Sequence, residues 1–274
     1  MSTPRTLDLP PGVEAIAVDT ERGSFATHVV RPEDPRGHVL LVPGWTGSKE
    51  DFTPLLPLLA DAGLAATAYD QRGQLDTPAQ DTDDFSLDGF AADAASLVAD
   101  LGPSHLLGHS FGGLVAQHAA ITHTASWRSL ALLCTGPGAL GVSPKRPLDQ
   151  VVAALEGGVS ALELAAALRG KAAGTAPPDV EEFLARRAEA NSRASLTAIT
   201  RLLLDAPDEV DQVAATGLPA WVGRGVDDDA WPHDRQADMA ARLGVEVHLI
   251  ADAEHSPAVE NPAGLAAALL PFYA

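Results

Sequence analysis

Short apolar runs alternate with segments of helical periodicity along the first half of the chain. The runs are typical of strands, several of them buried on both faces, and lie at Glu14–Thr20, Ser24–Val30, His38–Val42, Leu64–Tyr69, His105–Leu107 and Ser129–Cys134. Between them the apolar positions recur with helical spacing at Glu50–Ala62, Leu87–Leu101 and Phe111–Ile121. This alternation predicts an α/β fold with a mostly parallel sheet and helices on both faces.

The alternation stops after Thr135 and later resumes. From Pro144 to Ala215 the pattern predicts helix after helix, with capping boxes at Ser160–Glu163 and Asp179–Glu182. One apolar stripe holds Leu155, Val159 and Leu162, and another holds Leu196, Ile199, Leu202 and Leu203. Strands return at Leu218–Val222 and Val245–Ile250, and a last helix is predicted at Pro262–Phe272. We therefore predict a core of residues 1–143 and 216–274, interrupted by an all-helical insertion at 144–215.

Charge and apolar run length limit the classes of partner. The chain has 37 acidic and 18 basic residues and a net charge of −19, with a sequence pI of about 4.6. Such a surface repels phosphates, so we expect neither nucleic acid nor an anionic membrane as a partner. No apolar run reaches the roughly 20 residues of a membrane span, and Met1–Pro11 does not resemble a secretory signal. The expectation is a cytoplasmic monomer or homodimer.

The single cysteine, Cys134, lies at the end of an apolar run. One cysteine excludes an intrachain disulfide, and we interpret Cys134 as a buried strand thiol rather than a nucleophile. No Cys/His spacing in the sequence suggests a structural zinc site.

The sharpest chemical signal is Gly108–Gly112, which reads G-H-S-F-G between a predicted strand and a predicted helix. That setting is the one a nucleophile elbow requires: small residues two before and two after the serine allow a tight turn that exposes its hydroxyl. Ser110 is therefore the candidate nucleophile. The alternative is that Ser110 only caps the following helix.

A serine nucleophile needs a base, and the base needs a carboxylate that orients it. The loop after Leu218–Val222 contains Asp227, Asp228 and Asp229, and the loop after Val245–Ile250 contains His255. Both loops leave the carboxyl ends of strands, where open α/β sheets bind ligands. Seven of the other histidines suit structural or surface roles better: His28, His38, His105, His109, His118, His123 and His248.

With these motifs the chain resembles the α/β-hydrolase superfamily over nearly its whole length. The G-x-S-x-G motif of the family falls on Gly108–Gly112 and implies that Ser110 is the nucleophile. Its G-x-x-D-x-x-x-P segment falls on Gly225, Asp228 and Pro232. The resemblance implies that Asp228 is the triad acid, with Asp227 and Asp229 as the remaining alternatives. The late histidine of the family falls on His255, and Glu260, five residues on, is expected to cap the last helix.

The resemblance also implies an oxyanion hole. The H-G-x-x-G segment of the family falls on Pro43–Gly47, with proline in place of histidine. The backbone amides of Trp45 and Phe111 would bind the oxyanion, and the Trp45 indole would line the pocket unless it is an ordinary core aromatic. A D-x-R-G-x-G segment falls on Asp70–Leu75, where Leu75 replaces the second glycine. The loop after Ser129–Cys134, which holds the acid in some members, contains no carboxylate.

The resemblance implies a serine hydrolase that acts on a small-molecule acyl substrate, best described as a small-to-medium, apolar carboxylic ester. The implied mechanism needs no metal or organic cofactor. The insertion at 144–215 would be a cap over the pocket, with Leu155, Leu162 and Leu203 as candidate substrate-binding residues. Thioester, lactone and carbon–carbon bond hydrolysis, cofactor-free perhydrolysis and acyl transfer stay open as alternatives, and so does a non-catalytic receptor on the same fold.

Overall fold

The chain builds an eight-stranded sheet within residues 2–142, 147–170 and 174–274, which the structure, a computed structural model, describes. The strands are β1 (Val13–Thr20), β2 (Gly23–Val30), β3 (Gly37–Val42), β4 (Leu64–Tyr69), β5 (Ser104–His109), β6 (Trp127–Leu133), β7 (Ala220–Gly225) and β8 (Val247–Ile250). Their order is β1-β2-β4-β3-β5-β6-β7-β8. The pairs β1–β2 and β2–β4 are antiparallel, whereas every pairing from β4 through β8 is parallel.

Helices connect and cover these strands. In chain order they are α1 (Leu56–Asp61), α2 (Leu87–Ser96), α3 (Phe111–Thr122), α4 (Leu148–Glu156), α5 (Ala161–Arg169), α6 (Pro178–Ala190), α7 (Arg193–Asp205), α8 (Val210–Ala215), α9 (His233–Arg242), α10 (Pro257–Glu260) and α11 (Pro262–Leu269). Short 3₁₀ helices lie at Lys49–Leu55, Thr124–Ser126 and Leu270–Tyr273.

The core consists of two apolar layers, one on each face of the sheet. Successive residues of a strand point to opposite faces, so Leu40 and Val42 of β3 pack with α2 and α3, whereas Val39 and Leu41 pack with α1 and α11. All four side chains are fully buried, and each such side chain contributes about 1.5–3 kcal/mol relative to exposure. The predicted α/β architecture, with helices on both faces of a mostly parallel sheet, is confirmed.

Two local predictions were wrong, each because of proline. The helix predicted at Glu50–Ala62 is divided into the 3₁₀ helix Lys49–Leu55 and α1, since Pro54 has no N–H to donate within a helix. The capping box at Asp179–Glu182 does not form, because α6 begins at Pro178 and Asp179 lies inside its first turn.

The capping box at Ser160–Glu163 is confirmed. The Glu163 amide donates to Ser160 Oγ over 3.2 Å, and the Ser160 amide donates to Glu163 Oε2 over 2.9 Å. These bonds fix the first turn of α5.

The inserted helices α4, α5 and α7 share a small apolar cluster of Val151, Leu155, Leu164 and Leu196. The predicted start of the insertion, Pro144, lies outside the described residues. At the other end, Val210 and Val213 of α8 join the main sheet core with α3 and α9. We therefore propose that the cap within 144–215 ends before α8.

In the described part of the chain, no helix combines the length and the apolar character that a membrane crossing requires.

An ion-pair cluster at His118 predicts a pH-dependent stability. His118 Nδ1 lies 2.9 Å from Glu209 Oε1, and its Nε2 lies 2.7 Å from Asp88 Oδ1. The hydrogen bond with Glu209, together with that of Asp88, raises the pKa of His118 from its ordinary 6.5 to about 9. Because the pKa of His118 is higher in the folded than in the unfolded state, its protonation stabilises the fold. This contribution is fully present below pH 6.5 and is lost as the pH rises through about 9.

We expect the melting temperature of the wild type to decrease as the pH rises from 6.5 to 9. The His118→Gln variant should lack the part of this decrease that comes from His118. His123→Gln is the control, because burial lowers the pKa of His123 and this group therefore does not titrate in that window. Parallel melting curves for wild type and His118→Gln across the window would contradict the prediction.

Candidate active site

Ser110 lies in a strained turn between the last residue of β5 and the first of α3. Its backbone has φ 56° and ψ −122°, and its amide donates to Leu133 O over 2.9 Å. A Cβ atom at Gly108 would lie 2.1 Å from Gly112 O, and one at Gly112 would lie 2.3 Å from Val42 O. Only glycine fits at either position, as the elbow interpretation predicts.

The loops after β7 and β8 bring an acid and a histidine to Ser110. His255 Nε2 lies 3.0 Å from Ser110 Oγ, and His255 Nδ1 lies 2.7 Å from Asp228 Oδ1. The His255 side chain is partly exposed, whereas that of Asp228 is fully buried. Serine, histidine and carboxylate therefore form one continuous hydrogen-bonded chain that ends in the interior.

Asp228 is held by further donors. The Gln236 side chain donates to its Oδ2 over 2.9 Å, and the Ala230 amide donates to its Oδ1 over 3.1 Å. Burial alone would raise the pKa of Asp228, but the hydrogen bonds from His255, Gln236 and Ala230 outweigh burial and lower the pKa to about 2. The carboxylate is thus charged at neutral pH. Asp227 and Asp229 are exposed, and His255 Nδ1 faces Asp228.

Two buried groups support the backbone around His255. His109 binds the His255 carbonyl oxygen through Nε2, and the two rings lie 5.0 Å apart. Burial and the neighbouring His255 lower the pKa of His109 to about 3, so the ring is neutral and Nε2–H donates.

Cys134 is also buried, and burial together with the nearby Asp228 charge raises its thiol pKa well above the ordinary value. A protonated, buried thiol is a poor nucleophile.

The segment Pro43–Gly47 passes directly beside Ser110. A Cβ atom at Gly44 would lie 3.0 Å from Ser110 Cβ, so glycine allows the backbone to approach the nucleophile. In the described residues, the backbone hydrogen bonds of loops and helix caps do not include one donated by the Trp45 amide or by the Phe111 amide. Phe111 is the first residue of α3, where backbone N–H groups have no partner within the helix.

The loop Asp70–Leu75 supports this segment from below instead of forming the pocket rim. Gln71 Nε2 donates to Pro43 O over 2.9 Å. Leu75 takes a φ of 41°, a conformation that favours glycine, so the backbone follows a glycine-like path despite the substitution.

A cavity of about 290 Å³ opens onto Ser110 and His255. The inserted helices and the adjoining segment contribute apolar side chains to its wall: Leu140, Leu148, Val151, Leu168 and Leu203. Trp45 and Trp231 complete the apolar surface from the core, and Ser2 and Asp51 add polar groups. The Ser110 hydroxyl thus faces a mainly apolar cavity.

A model of the alpha/beta hydrolase family matches residues 39–268 of the chain. The chain belongs to this family.

The chain is similar to proteins named as hydrolases and to solved structures of hydrolases. A candidate carbamate hydrolase, RutD, of Variovorax paradoxus is 30% identical over 250 residues, which are 86% of this chain and 91% of that protein. A hydrolase from Pseudomonas aeruginosa matches with a TM-score of 0.78 and 23% identity over 95% of this chain and 98% of that one. An esterase from Thermogutta terrifontis matches with a TM-score of 0.75 and 21% identity over 95% of this chain and 98% of that one. The two structural likenesses establish the fold.

The predicted pocket residues of this hydrolase divide into two groups. Trp45 and Leu203 line the cavity. Leu155 does not, because it points into the apolar cluster of the inserted helices and is 1% exposed. Leu162 does not either, because it lies on the outer face of α5 with 43% of its surface exposed. The geometry therefore removes Leu155 and Leu162 from the candidate substrate-binding residues.

Three lining residues of the inserted helices were missed by the sequence argument. Leu148 and Val151 precede Leu155 on the same stripe of α4, at intervals of three and four residues, so their spacing was the available signal. Leu168 follows Leu164 by four residues on α5, so the same kind of spacing was available there.

His109, Cys134 and His255 are the one set of metal-ligating side chains that lie close together in the described residues, with ligand atoms within 4.8 Å of one another. His255 is bonded to Ser110 and Asp228, and His109 is bonded to the His255 carbonyl. These bonds leave the cluster without a free, convergent set of ligands, so we assign it no metal.

Proposed function

We propose that this protein is a serine hydrolase that cleaves small-to-medium, apolar carboxylic esters through an acyl-enzyme. The observation that carries the proposal is the chain from Ser110 Oγ to His255 Nε2 at 3.0 Å and from His255 Nδ1 to Asp228 Oδ1 at 2.7 Å. This chain begins at the wall of an apolar cavity and ends at a buried carboxylate. Nucleophile, base and orienting acid thus stand in the order that acyl transfer requires.

In the first half-reaction, Ser110 Oγ attacks the ester carbonyl while His255 Nε2 takes the hydroxyl proton. His255 then returns that proton to the leaving alkoxide, and the acyl group stays on Ser110. In the second half-reaction His255 removes a proton from water, which attacks the carbonyl of the acyl-enzyme. His255 then gives this proton to Ser110 Oγ as the bond between the acyl group and serine breaks, so the carboxylic acid leaves and the free serine is restored.

Asp228 keeps His255 competent for these transfers. Because the pKa of Asp228 is about 2, the carboxylate accepts Nδ1–H at neutral pH and leaves Nε2 free to take the serine proton. The same negative charge stabilises the imidazolium that forms during each proton transfer.

The tetrahedral oxyanion would accept hydrogen bonds from the amides of Trp45 and Phe111. Both amides adjoin Ser110, one across the close approach of Gly44 and the other at the start of α3. The positive end of the α3 dipole points to the same place. Because both amides are already in place, the protein need not reorganise when the oxyanion forms. These hydrogen bonds would therefore raise the rate of reaction and not only the affinity for substrate.

The cavity supports a substrate with an apolar acyl or alcohol group. Its wall is mainly Leu, Val and Trp, and its volume of about 290 Å³ matches small ligands. The net charge of −19 disfavours strongly anionic substrates.

The first test is covalent labelling followed by a leaving-group panel. A fluorophosphonate should label the protein stoichiometrically, and a p-nitrophenyl ester of a short acid should give a burst of p-nitrophenol. A protein that is neither labelled nor active on any acyl compound would be a receptor on a hydrolase fold and would contradict the proposal.

Carbamate hydrolysis is the second candidate, and the similarity to RutD over most of both chains favours it. The same residues could serve it, because a carbamate differs from an ester in the group attached to the carbonyl. Matched esters, thioesters, lactones and carbamates with one alkyl group, compared by kcat/KM, separate these activities. A carbamate preferred over its matched ester would replace the ester assignment.

Three leucines offer a test of how the inserted helices select substrates. Leu203→Ala should shift the kcat/KM ratio between short and long acyl chains by about 1–3 kcal/mol, because Leu203 lines the cavity. Leu155→Ala should leave selectivity unchanged and lower stability by about 2–5 kcal/mol, because Leu155 is core to the inserted helices. Leu162→Ala is the control and should change neither quantity, since Leu162 is exposed. Chain-length series and denaturant titrations measure both quantities, and a selectivity change in Leu155→Ala alone would contradict the assignment.

A further inference from the structure

An arginine of the inserted helices is completely buried against the loop that follows β3. Arg187 of α6 is 0% exposed. Its Nη1 donates to Asp51 Oδ1 over 3.1 Å and to Ser48 Oγ over 3.3 Å, and its Nη2 donates to Ser2 O over 2.7 Å. Phe183 covers the guanidinium from the same helix at 5.4 Å. A buried guanidinium is tolerated only when it is paired in this way, so the contact fixes the position of both partners.

Asp51 transmits this contact to the turn that carries the Trp45 amide. Its Oδ2 accepts the Ser48 amide over 3.3 Å, and a Cβ atom at Gly47 would lie 2.7 Å from the same oxygen. The Gly47 amide in turn donates to Gly44 O over 3.0 Å and closes the turn around Trp45. Arg187 is therefore connected through Asp51 to Ser48, the last residue of the turn that carries Trp45, and the lack of a side chain at Gly47 leaves room for the Asp51 carboxylate.

The attachment of α6 and α7 to the core does not depend on Arg187. Asn191 Oδ1 accepts the Leu75 amide over 3.0 Å, the Ser192 amide donates to Gly73 O over 2.7 Å, and Ser195 Oγ donates to Arg72 O over 2.9 Å. Loss of the Arg187 contacts would leave the inserted helices bound to the loop Asp70–Leu75. The distinctive effect of Arg187 is on the turn beside the nucleophile.

We propose that Arg187 is a positioning residue: through Asp51 it holds the turn Gly44–Ser48 so that the Trp45 amide faces Ser110. The position of the inserted helices against the core is thereby coupled to stabilisation of the oxyanion. This inference rests on the proposed serine hydrolase function and assigns a role within it to an ion pair that does not touch the reacting atoms.

Arg186 provides a matched control on the same helix. It pairs with Asp76 at 2.7 Å, and its side chain is 54% exposed. The pair joins α6 to the loop after β4, where Asp76 also pairs with Lys49 Nζ at 2.8 Å, so Asp76 keeps a cation when Arg186 is replaced. Exposed pairs contribute little, so Arg186→Met should change kcat and KM by less than about twofold.

The decisive experiment compares Arg187→Met with Arg186→Met on one good ester substrate of the wild type. Arg187→Met should lower kcat by about 10–100-fold with KM within about twofold, because a displaced oxyanion donor weakens the transition state and not the substrate complex. A trifluoromethyl ketone, which forms a tetrahedral adduct with serine, should lose affinity by the same factor. The matched secondary alcohol, which forms no oxyanion, should bind as to the wild type.

A second variant covers the case in which Arg187→Met fails to fold because it leaves Asp51 buried and unpaired. Asp51→Asn/Arg187→Met removes both charges, and such paired removal is often tolerated. It should fold, show the same loss of kcat and the same loss of affinity for the ketone. Arg187→Lys, which keeps a cation for Asp51, should recover part of kcat.

The outcomes separate the two proposals. An active wild type whose folded Arg187→Met or double variant keeps wild-type kcat and ketone affinity overturns the role of Arg187 alone. Equal losses for the ketone and the alcohol would also overturn it, because they indicate general disruption of the pocket. A wild type that binds no trifluoromethyl ketone covalently and cleaves no acyl substrate removes the proposed function itself.

Discussion

Ser110→Ala is expected to abolish turnover while the protein stays folded. Removal of the nucleophile from a serine triad lowers kcat by roughly 10⁶ in well-studied hydrolases. Here Ser110 Oγ is the atom within 3.0 Å of His255 Nε2, and Cys134, the single thiol, is buried and protonated. In the described site, Ser110 Oγ is the hydroxyl that His255 Nε2 contacts. Steady-state kinetics on the preferred ester, with circular dichroism to verify the fold, measures the effect.

Fluorophosphonate labelling supplies the matching control. Ser110→Ala should not be labelled, whereas Ser126→Ala, in the 3₁₀ helix Thr124–Ser126, should be labelled like the wild type. Labelling of Ser110→Ala at the wild-type rate would place the nucleophile elsewhere in the chain.

Asp228→Asn should lower kcat by about 10⁴ with the fold intact. Asparagine would retain the shape of the side chain but could offer an N–H to His255 Nδ1, which favours the tautomer that cannot take the Ser110 proton. It would also remove the charge that stabilises the imidazolium. Burial of Asp228 strengthens both effects, because water cannot replace the lost charge. The pH dependence of kcat/KM for wild type and variant, measured with one ester, tests the assignment.

The neighbouring acids are internal controls for Asp228. Asp227→Asn and Asp229→Asn each replace one carboxylate oxygen of the same loop by an amide nitrogen, but both side chains are exposed. Each should alter kcat by less than about tenfold. A larger loss in Asp227→Asn or Asp229→Asn than in Asp228→Asn would assign the carboxylate to a different residue of the loop.

The central strands were predictable because both faces of them are buried. β3, β4 and β6 appear in the sequence as nearly unbroken apolar runs, and their limits differ from the prediction by two residues at most. β7 was placed too early, since Gly223, Arg224 and Gly225 lack the apolar pattern although they pair with β8. A pairing register depends on the partner strand, which local pattern does not contain.

The helix α9 was missed for a similar reason. It begins at His233 directly after Pro232 and has few apolar residues, with Met239 and Ala240 as buried contacts. Such a helix has low overall hydrophobicity although its buried residues lie on one face, so a search for apolar runs passes over it.

The proximity of the three candidate triad residues was predictable from their setting, whereas the pocket was not. Ser110, His255 and Asp228 each follow a predicted strand, so topology alone placed them at one edge of the sheet. An apolar stripe shows that Leu155 and Leu203 are buried but not whether a neighbour is protein or cavity. Arg187 gave no signal at all, because its partner Asp51 lies 136 residues away along the chain.

The backbone conformation of Ser110 costs folding stability. A non-glycine residue at φ 56° and ψ −122° carries strain of about 1–3 kcal/mol, against a net stability of about 5–15 kcal/mol for a typical domain. The bonds from the Ser110 amide to Leu133 O and from the Gly113 amide to Ser110 O keep the turn in place. Selection for stability alone would favour glycine at residue 110. The cost of placing a serine at residue 110 is one that the proposed catalytic role would explain.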